Sequence, residues 1–129
     1  MLTEFLCNYS ILPAGPRTEL GAGLGLVGIT LAQLDREHGI VEEVVCTDGK
    51  DECLSYLQAN AIANSVGQVR GEILEWGNIE QLRALRESLG QTMPGLVVGA
   101  DVLYDIKAIP SLVDTVRSLS CRLPKHFWH

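Results

Sequence analysis

Four glycines within eight residues, Gly21, Gly23, Gly25 and Gly28, have the types and spacing to do chemistry. They belong to the run Thr-Glu-Leu-Gly-Ala-Gly-Leu-Gly-Leu-Val-Gly at residues 18–28, directly ahead of an amphipathic stretch. Glycine tolerates positive φ and has no Cβ to keep a ligand off the backbone. A glycine loop opening onto a helix start leaves N–H groups facing an anionic group such as a phosphate or carboxylate. A plain turn needs one or two glycines, so four at this spacing favour a ligand loop.

Three later stretches could complete such a site. Asp48 lies about 20 residues past the loop, where an acidic residue can accept hydrogen bonds from ribose hydroxyls, although Asp-Gly is also an ordinary turn pair. Trp76, after Glu75, is either a rim aromatic or a stacking surface for an adenine. The run Gly99-Ala100-Asp101-Val102-Leu103-Tyr104-Asp105 ends an apolar segment with two carboxylates around a tyrosine. Carboxylates buried there would be costly unless paired or used. Asp105 also suits a helix cap, whereas Asp101 falls inside the apolar run. His38, His126 and His129 show no partner pattern for a triad or a metal.

The elements that must position these residues alternate between strand and helix patterns. Residues 1–17 are broken by Pro13, Gly15 and Pro16, and Pro16-Arg-Thr-Glu19 makes a poor buried strand ahead of the loop. Apolar spacing predicts a helix from Leu26 to His38 on Leu26, Ile29, Leu31 and Leu34, closed by Gly39. Ile40-Val41 and Val44 to Cys46 read as a strand, and Asp51 to Asn64 as a helix with Leu54, Leu57 and Ala61 inward. Val69 to Leu74 is a third strand, and Asn78 caps a helix bearing Ile79, Leu82, Leu85 and Leu89. Gly95 to Leu103 has the near-continuous apolar run of a central parallel strand. A last helix from Ala108 to Leu119 carries Ile109, Leu112, Val113 and Val116 on one stripe. This alternation implies a Rossmann-like, three-layer α/β/α fold with a mainly parallel sheet, in a single domain over residues 1–129. Ligands in such sheets sit at the carboxyl ends of the strands.

Composition narrows the function classes. With 47% hydrophobic and 20% charged residues the chain is globular, and a net charge of −6 argues against a nucleic-acid partner. Cys7, Cys46, Cys53 and Cys121 form no C-x-x-C pair and no metal spacing, which suits free thiols in a reducing compartment. The cytoplasm is therefore the expected location, with the nucleus as an alternative. No apolar run approaches the ~20 residues of a membrane span, so no membrane partner is expected.

Gly23-Leu-Gly-Leu-Val-Gly28 is formally a G-x-G-x-x-G, which leaves a nucleotide-dependent oxidoreductase open. The acidic-Leu-Gly-Ala-Gly form, however, resembles the first motif of class I, seven-β-strand S-adenosylmethionine-dependent methyltransferases. The resemblance continues through Thr47-Asp48, the helix ending at Asn60 to Asn64, Leu74-Glu75-Trp76 and Ala100-Asp101-Val102-Leu103-Tyr104-Asp105. Together these look like the family-16 protein-lysine methyltransferases, with the elongation-factor lysine methyltransferases most similar. The resemblance implies S-adenosyl-L-methionine as cofactor. Glu19, Gly21, Ala22 and Gly23 would belong to the loop that cradles its methionyl end, Asp48 would hold the ribose, and Trp76 and Ala100 would line the adenine pocket. Asp101 and Tyr104 would stand where the target nitrogen enters. It also implies a lysine-bearing protein substrate, a translation factor among the candidates. It covers roughly residues 19–119, about four of the seven strands, so the expectation is the N-terminal half of a catalytic domain. An inactive remnant serving as a binding module is the non-enzymatic alternative.

Overall fold

Arg17-Thr18-Glu19-Leu20, polar at three of its four positions, forms an inner strand of a parallel sheet and is buried throughout. The computed structural model describes residues 13–90 and 92–120. Cys7, Cys121, Lys125, His126, His129 and the segments at both ends lie outside the described residues.

In chain order the elements are β1 (Arg17–Leu20), α1 (Leu26–Glu37), β2 (Val44–Asp48), α2 (Asp51–Ala63) and β3 (Val69–Ile73). They are followed by α3 (Ile79–Ser88), β4 (Leu96–Gly99), a 3-10 turn (Ile106–Ala108) and α4 (Ile109–Ser120). The strands run in the order β3-β2-β1-β4, every pair parallel, with Glu19 opposite Cys46 on one side and Val98 on the other. The α1 and α2 residues Ile29, Ala32, Leu57 and Ala61 pack with Val44, Cys46 and Val69 on one sheet face. Leu82 and Leu85 of α3 and Leu112 and Leu119 of α4 pack with Leu20 and Val45 on the other. This is the expected three-layer arrangement. The strand order reverses between β1 and β4, which makes that point the topological switch. No described helix is long and apolar enough to cross a membrane.

The strand that looked poor in sequence exists because its charges are matched. The Arg17 guanidinium donates from Nε to Asp35 Oδ2 at 2.9 Å and from Nη2 to Asp35 Oδ1 at 3.0 Å. Its Nη1 reaches the carbonyls of Pro13 at 2.5 Å and Gly15 at 2.6 Å. The Arg17 and Asp35 side chains are each only 1% exposed, a bidentate geometry suited to a buried pair. Two residues on, Glu19 Oε2 accepts the Gly28 N–H at 2.9 Å. Because α1 runs back along β1, its start meets Glu19 and its far end meets Arg17.

Helix ends follow local chemistry. Asn78 Oδ1 accepts the Gln81 N–H at 3.0 Å, and Gly39 leaves α1 at φ 69. Other expectations shift. Ile40 donates its N–H to the Asp35 carbonyl at 2.7 Å, which extends the helix exit, so β2 begins only at Val44 and Val41 is 91% exposed. Leu26 is exposed, and α1 buries Val27, Ile29, Leu31 and Ala32 instead. On α4 the buried stripe is Leu112, Thr115 and Leu119, with Val113 and Val116 outside. The apolar run at Gly95 to Leu103 is a strand only over Leu96–Gly99, and it pairs with β1 alone among the described residues.

Asp35→Ala would leave the Arg17 charge buried without its partner, a loss of roughly 3–5 kcal/mol. Urea denaturation of the full chain reads it. The double change Arg17→Met with Asp35→Leu is expected to cost clearly less than the single one. A single change costing under about 1 kcal/mol would show that the pair does not hold the strand.

Candidate functional site

The glycine loop leaves the carboxyl end of β1 and is fastened from three sides. Ala22 donates its N–H to the Thr47 carbonyl at 2.8 Å, and Gly23 donates to Asp48 Oδ2 at 3.0 Å. Asn60 Nδ2 of α2 donates to the Leu24 carbonyl at 2.9 Å. Gly23 sits at φ 56, and a Cβ built there meets nothing within 4 Å, so the backbone faces open space. Gly28 has the opposite constraint. A Cβ on it would overlap the Cys46 sulfur and approach Glu19 Oε2 at 2.9 Å. Gly28 therefore serves close packing of α1 on β1 and β2.

A cavity of about 390 Å³ opens beside the loop, lined by Gly21, Asp48, Leu74, Trp76, Tyr104 and Ser111 among others. That volume falls in the ~300–1,000 Å³ range of small-molecule pockets. Trp76 is half-buried against the Leu20 and Leu74 cluster, and its Cζ2 lies 3.4 Å from where a Gly21 Cβ would stand. Asp48 accepts from Gly23 through Oδ2 and from the Lys50 N–H through Oδ1 at 3.0 Å. Each of its oxygens keeps a further acceptor position for a ligand hydroxyl.

Beneath the loop lies an unusual pair. Burial pushes the Glu19 carboxyl up from the ordinary 4.5 to about 7. Hydrogen bonds from Cys46 and Gly28 oppose the rise, and the Asp48 charge adds to it. The Cys46 thiol is held far above its ordinary range by burial and then by the neighbouring Glu19 charge. Cys46 is thus an inert packing thiol; Cys53 is half-buried and also free.

Of the residues expected at a ligand, the structure brings Gly21, Asp48, Trp76 and Tyr104 together around the cavity, and Gly23 joins through Asp48. Four others lie elsewhere. Glu19 is 2% exposed and turns its carboxylate to the start of α1, so it supports the loop from below rather than facing the cavity. Ala22 is buried in the core beside Ile29. Ala100 packs with Val27 and Leu31 on the face away from Trp76. Asp101 is not inside a buried strand: the chain turns at its φ of 54, and Asp101 is exposed. Tyr104 is 82% exposed at the cavity rim, and Asp105 caps the 3-10 turn by accepting the Lys107 N–H at 3.0 Å. Ser111 is absent from the sequence motifs, and Leu74 and Val102 stand in them without a role; Leu74 and Ser111 line the cavity, and the Val102 Cγ1 stands 3.0 Å from a Gly21 Cβ position. Only the rule that ligands gather at strand ends could have pointed to them. Among the described residues, no three His, Cys, Asp or Glu side chains cluster so as to hold a metal ion.

The profile of a family described as lysine methyltransferase matches residues 16–127. The chain belongs to the lysine methyltransferase family. Protein-lysine N-methyltransferase EFM3 of Chaetomium thermophilum is 30% identical over 123 residues, 92% of this chain and 35% of that protein. Human protein-lysine N-methyltransferase EEF2KMT is 29% identical over 119 residues, 81% of this chain and 33% of that one. The chain thus spans about a third of the length of these lysine methyltransferases. Among solved structures, the Bacillus subtilis protein YcgJ aligns at 18% identity with a TM-score of 0.47, over 59% of this chain and 30% of that one. Membership of the lysine methyltransferase family does not favour the dinucleotide reading of Gly23 to Gly28. Gly28 agrees with that, since its missing Cβ makes room for Cys46.

The raised Glu19 carboxyl sets a pH dependence of stability. The native state binds this proton more tightly than the unfolded chain does. Glu19 therefore stabilises fully below about pH 4.5, and that contribution is lost as pH rises through about 7. Glu19→Gln keeps an acceptor for the Gly28 N–H and cannot ionise. Relative to the native sequence it is expected to gain about 3 kcal/mol between pH 4.5 and pH 8. Denaturant midpoints across that range check it, and a constant difference would refute the assignment.

Proposed function

We propose that this chain is the S-adenosylmethionine-binding part of a protein-lysine methyltransferase. The observation that carries the reading is the cavity at the strand ends bounded by Gly21, Asp48 and Trp76, in a member of this family. The residues fit the cofactor's chemistry. Gly23 has open space before its backbone, Asp48 keeps acceptor positions, and Trp76 offers an aromatic surface at the cavity wall.

When bound, S-adenosylmethionine supplies a methyl group already activated on a sulfonium. The protein's work is then placement and exclusion of water. Gly21, Ala22 and Gly23 cradle the methionyl end, with Glu19 holding the loop from beneath. Asp48 accepts hydrogen bonds from the two ribose hydroxyls. Trp76 would offer its face to the adenine, and Ala100, next to the turn at Asp101, would belong to the same end of the site. Asp101 and Tyr104 orient the incoming amine at the mouth. A lysine attacks only as the neutral amine, and removal from water lowers its pKa. The resemblance to elongation-factor lysine methyltransferases supports a translation factor as the protein substrate, and the free thiols of Cys46 and Cys53 support the cytoplasm as the place of action.

Calorimetry with S-adenosylhomocysteine on the full chain tests the reading. Binding is expected, weakened at least about 100-fold by Asp48→Ala through the loss of charge-assisted hydrogen bonds. Trp76→Ala is expected to cost about tenfold through lost stacking. Binding of a nicotinamide dinucleotide in its place would sink the proposal. Cofactor binding without methyl transfer to any protein would leave the chain a binding module.

A further inference from the structure

Trp76 forms part of the cavity wall, and the backbone on either side of it is fastened to a different helix. Before it, Glu75 donates its N–H to Gln81 Oε1 of α3 at 2.6 Å. After it, Gly77 donates its N–H to Thr115 Oγ1 of α4 at 3.2 Å. Between these points the chain makes a four-residue turn, closed by the Asn78 N–H on the Glu75 carbonyl at 3.0 Å. Gly77 holds the third position at φ 88, the positive value that a type II turn places there. A Cβ on Gly77 would stand 3.0 Å from Ser111 Oγ, so the turn lies directly against α4.

Thr115 is 2% exposed, on a helix face whose other buried residues are Leu112 and Leu119. A valine of the same shape would fill that place without burying a hydroxyl, which is costly unless the hydroxyl is bonded. The Thr115 hydroxyl donates to the Ser111 carbonyl one turn back, at 2.8 Å. That bond is local to the helix and holds a β-branched side chain in one rotamer. It also leaves the oxygen free to accept, and the Gly77 N–H is what it accepts. The indole itself packs against the cluster that contains Leu20, Leu74 and Leu112.

We propose that Thr115 is a positioning residue for ligand binding. Through Gly77 it holds the turn that carries Trp76 and so presents the indole to the cavity in one orientation. The inference rests on the reading of this cavity as the S-adenosylmethionine site, in which Trp76 meets the adenine. With the Gly77 anchor gone, the turn is held from α3 alone, and a ligand has to order the indole as it binds, which lowers affinity.

Calorimetry with S-adenosylhomocysteine compares the native full chain with Thr115→Val, Trp76→Ala and the double variant. Thr115→Val removes the hydroxyl and is expected to weaken binding about fivefold. Thr115→Ser keeps the hydroxyl and is expected to bind within about twofold of the native chain. Once Trp76 is alanine, Thr115→Val is expected to change affinity by less than about twofold, because the group it positions is gone. Unchanged affinity in Thr115→Val, no recovery with serine, or the same loss without Trp76 would overturn the inference while leaving the cofactor site standing. If Thr115→Val does not fold, amide hydrogen exchange of the native chain decides. Coupling between turn and ligand is reciprocal, so the Gly77 N–H is expected to gain protection when S-adenosylhomocysteine is added. Unchanged protection there would overturn the inference. Absence of S-adenosylhomocysteine binding by the native chain would overturn the site and the inference together.

Discussion

The polar clamp between β1 and α1 is the interaction on which the rest of this structure depends. β1 is flanked on both sides, so its Arg17 and Glu19 cannot reach water. Each is answered by α1 at the matching height, Arg17 by Asp35 and Glu19 by the Gly28 N–H. These two contacts, three hydrogen bonds in all, at opposite ends of an antiparallel strand–helix pair fix both the slide and the tilt of α1. The loop between them, Gly21 to Gly25, has its two ends pinned as a consequence. A buried ion pair of this kind is not a large net source of stability, but its half-removal is destructive. Its value here is in specifying one position for the helix.

The geometry of the cavity follows from that position. With α1 fixed, Ala22 and Gly23 reach Thr47 and Asp48, and the loop is tied to the strand that carries the cavity's acidic residue. Gly28 lets α1 approach Cys46 closely enough for this to happen. The cavity lies at the carboxyl ends of the strands beside the β1–β4 switch, where strand ends diverge and a ligand can enter between loops. This scaffold provides placement at the cavity: open backbone at Gly23, the Asp48 carboxylate and the Trp76 wall stand on short connections from the strand ends.

Much of this was legible in the chain. The alternation of elements, the caps at Asn78 and Gly39, and the cluster of Gly21, Asp48 and Trp76 follow from local pattern and spacing. The readings that shifted share a cause. β1 looked unfit for burial because its compensating groups, Asp35 and Gly28, lie 18 and 9 residues away from their partners. The run at Gly95 to Leu103 looked like a long central strand, yet a left-handed turn at Asp101 ends it and puts Asp101 and Tyr104 outside. On α4, Thr115 replaced Val113 and Val116 on the buried stripe, and its Oγ1 accepts the Gly77 N–H at 3.2 Å.

By itself the sequence determined the layered α/β class, the family and part of the cavity lining, Gly21, Asp48, Trp76 and Tyr104. These depend on periodicity and on residue types that act through their own backbone or side chain, and such properties are local. Tertiary structure alone decided that a polar tetrapeptide becomes an inner strand, that Glu19 faces α1 instead of the cavity, and that its carboxyl is poised near neutrality. Each of those depends on which groups surround a charge and how much water is excluded. Burial and counter-charge are properties of the assembled fold, set by residues far apart in the chain.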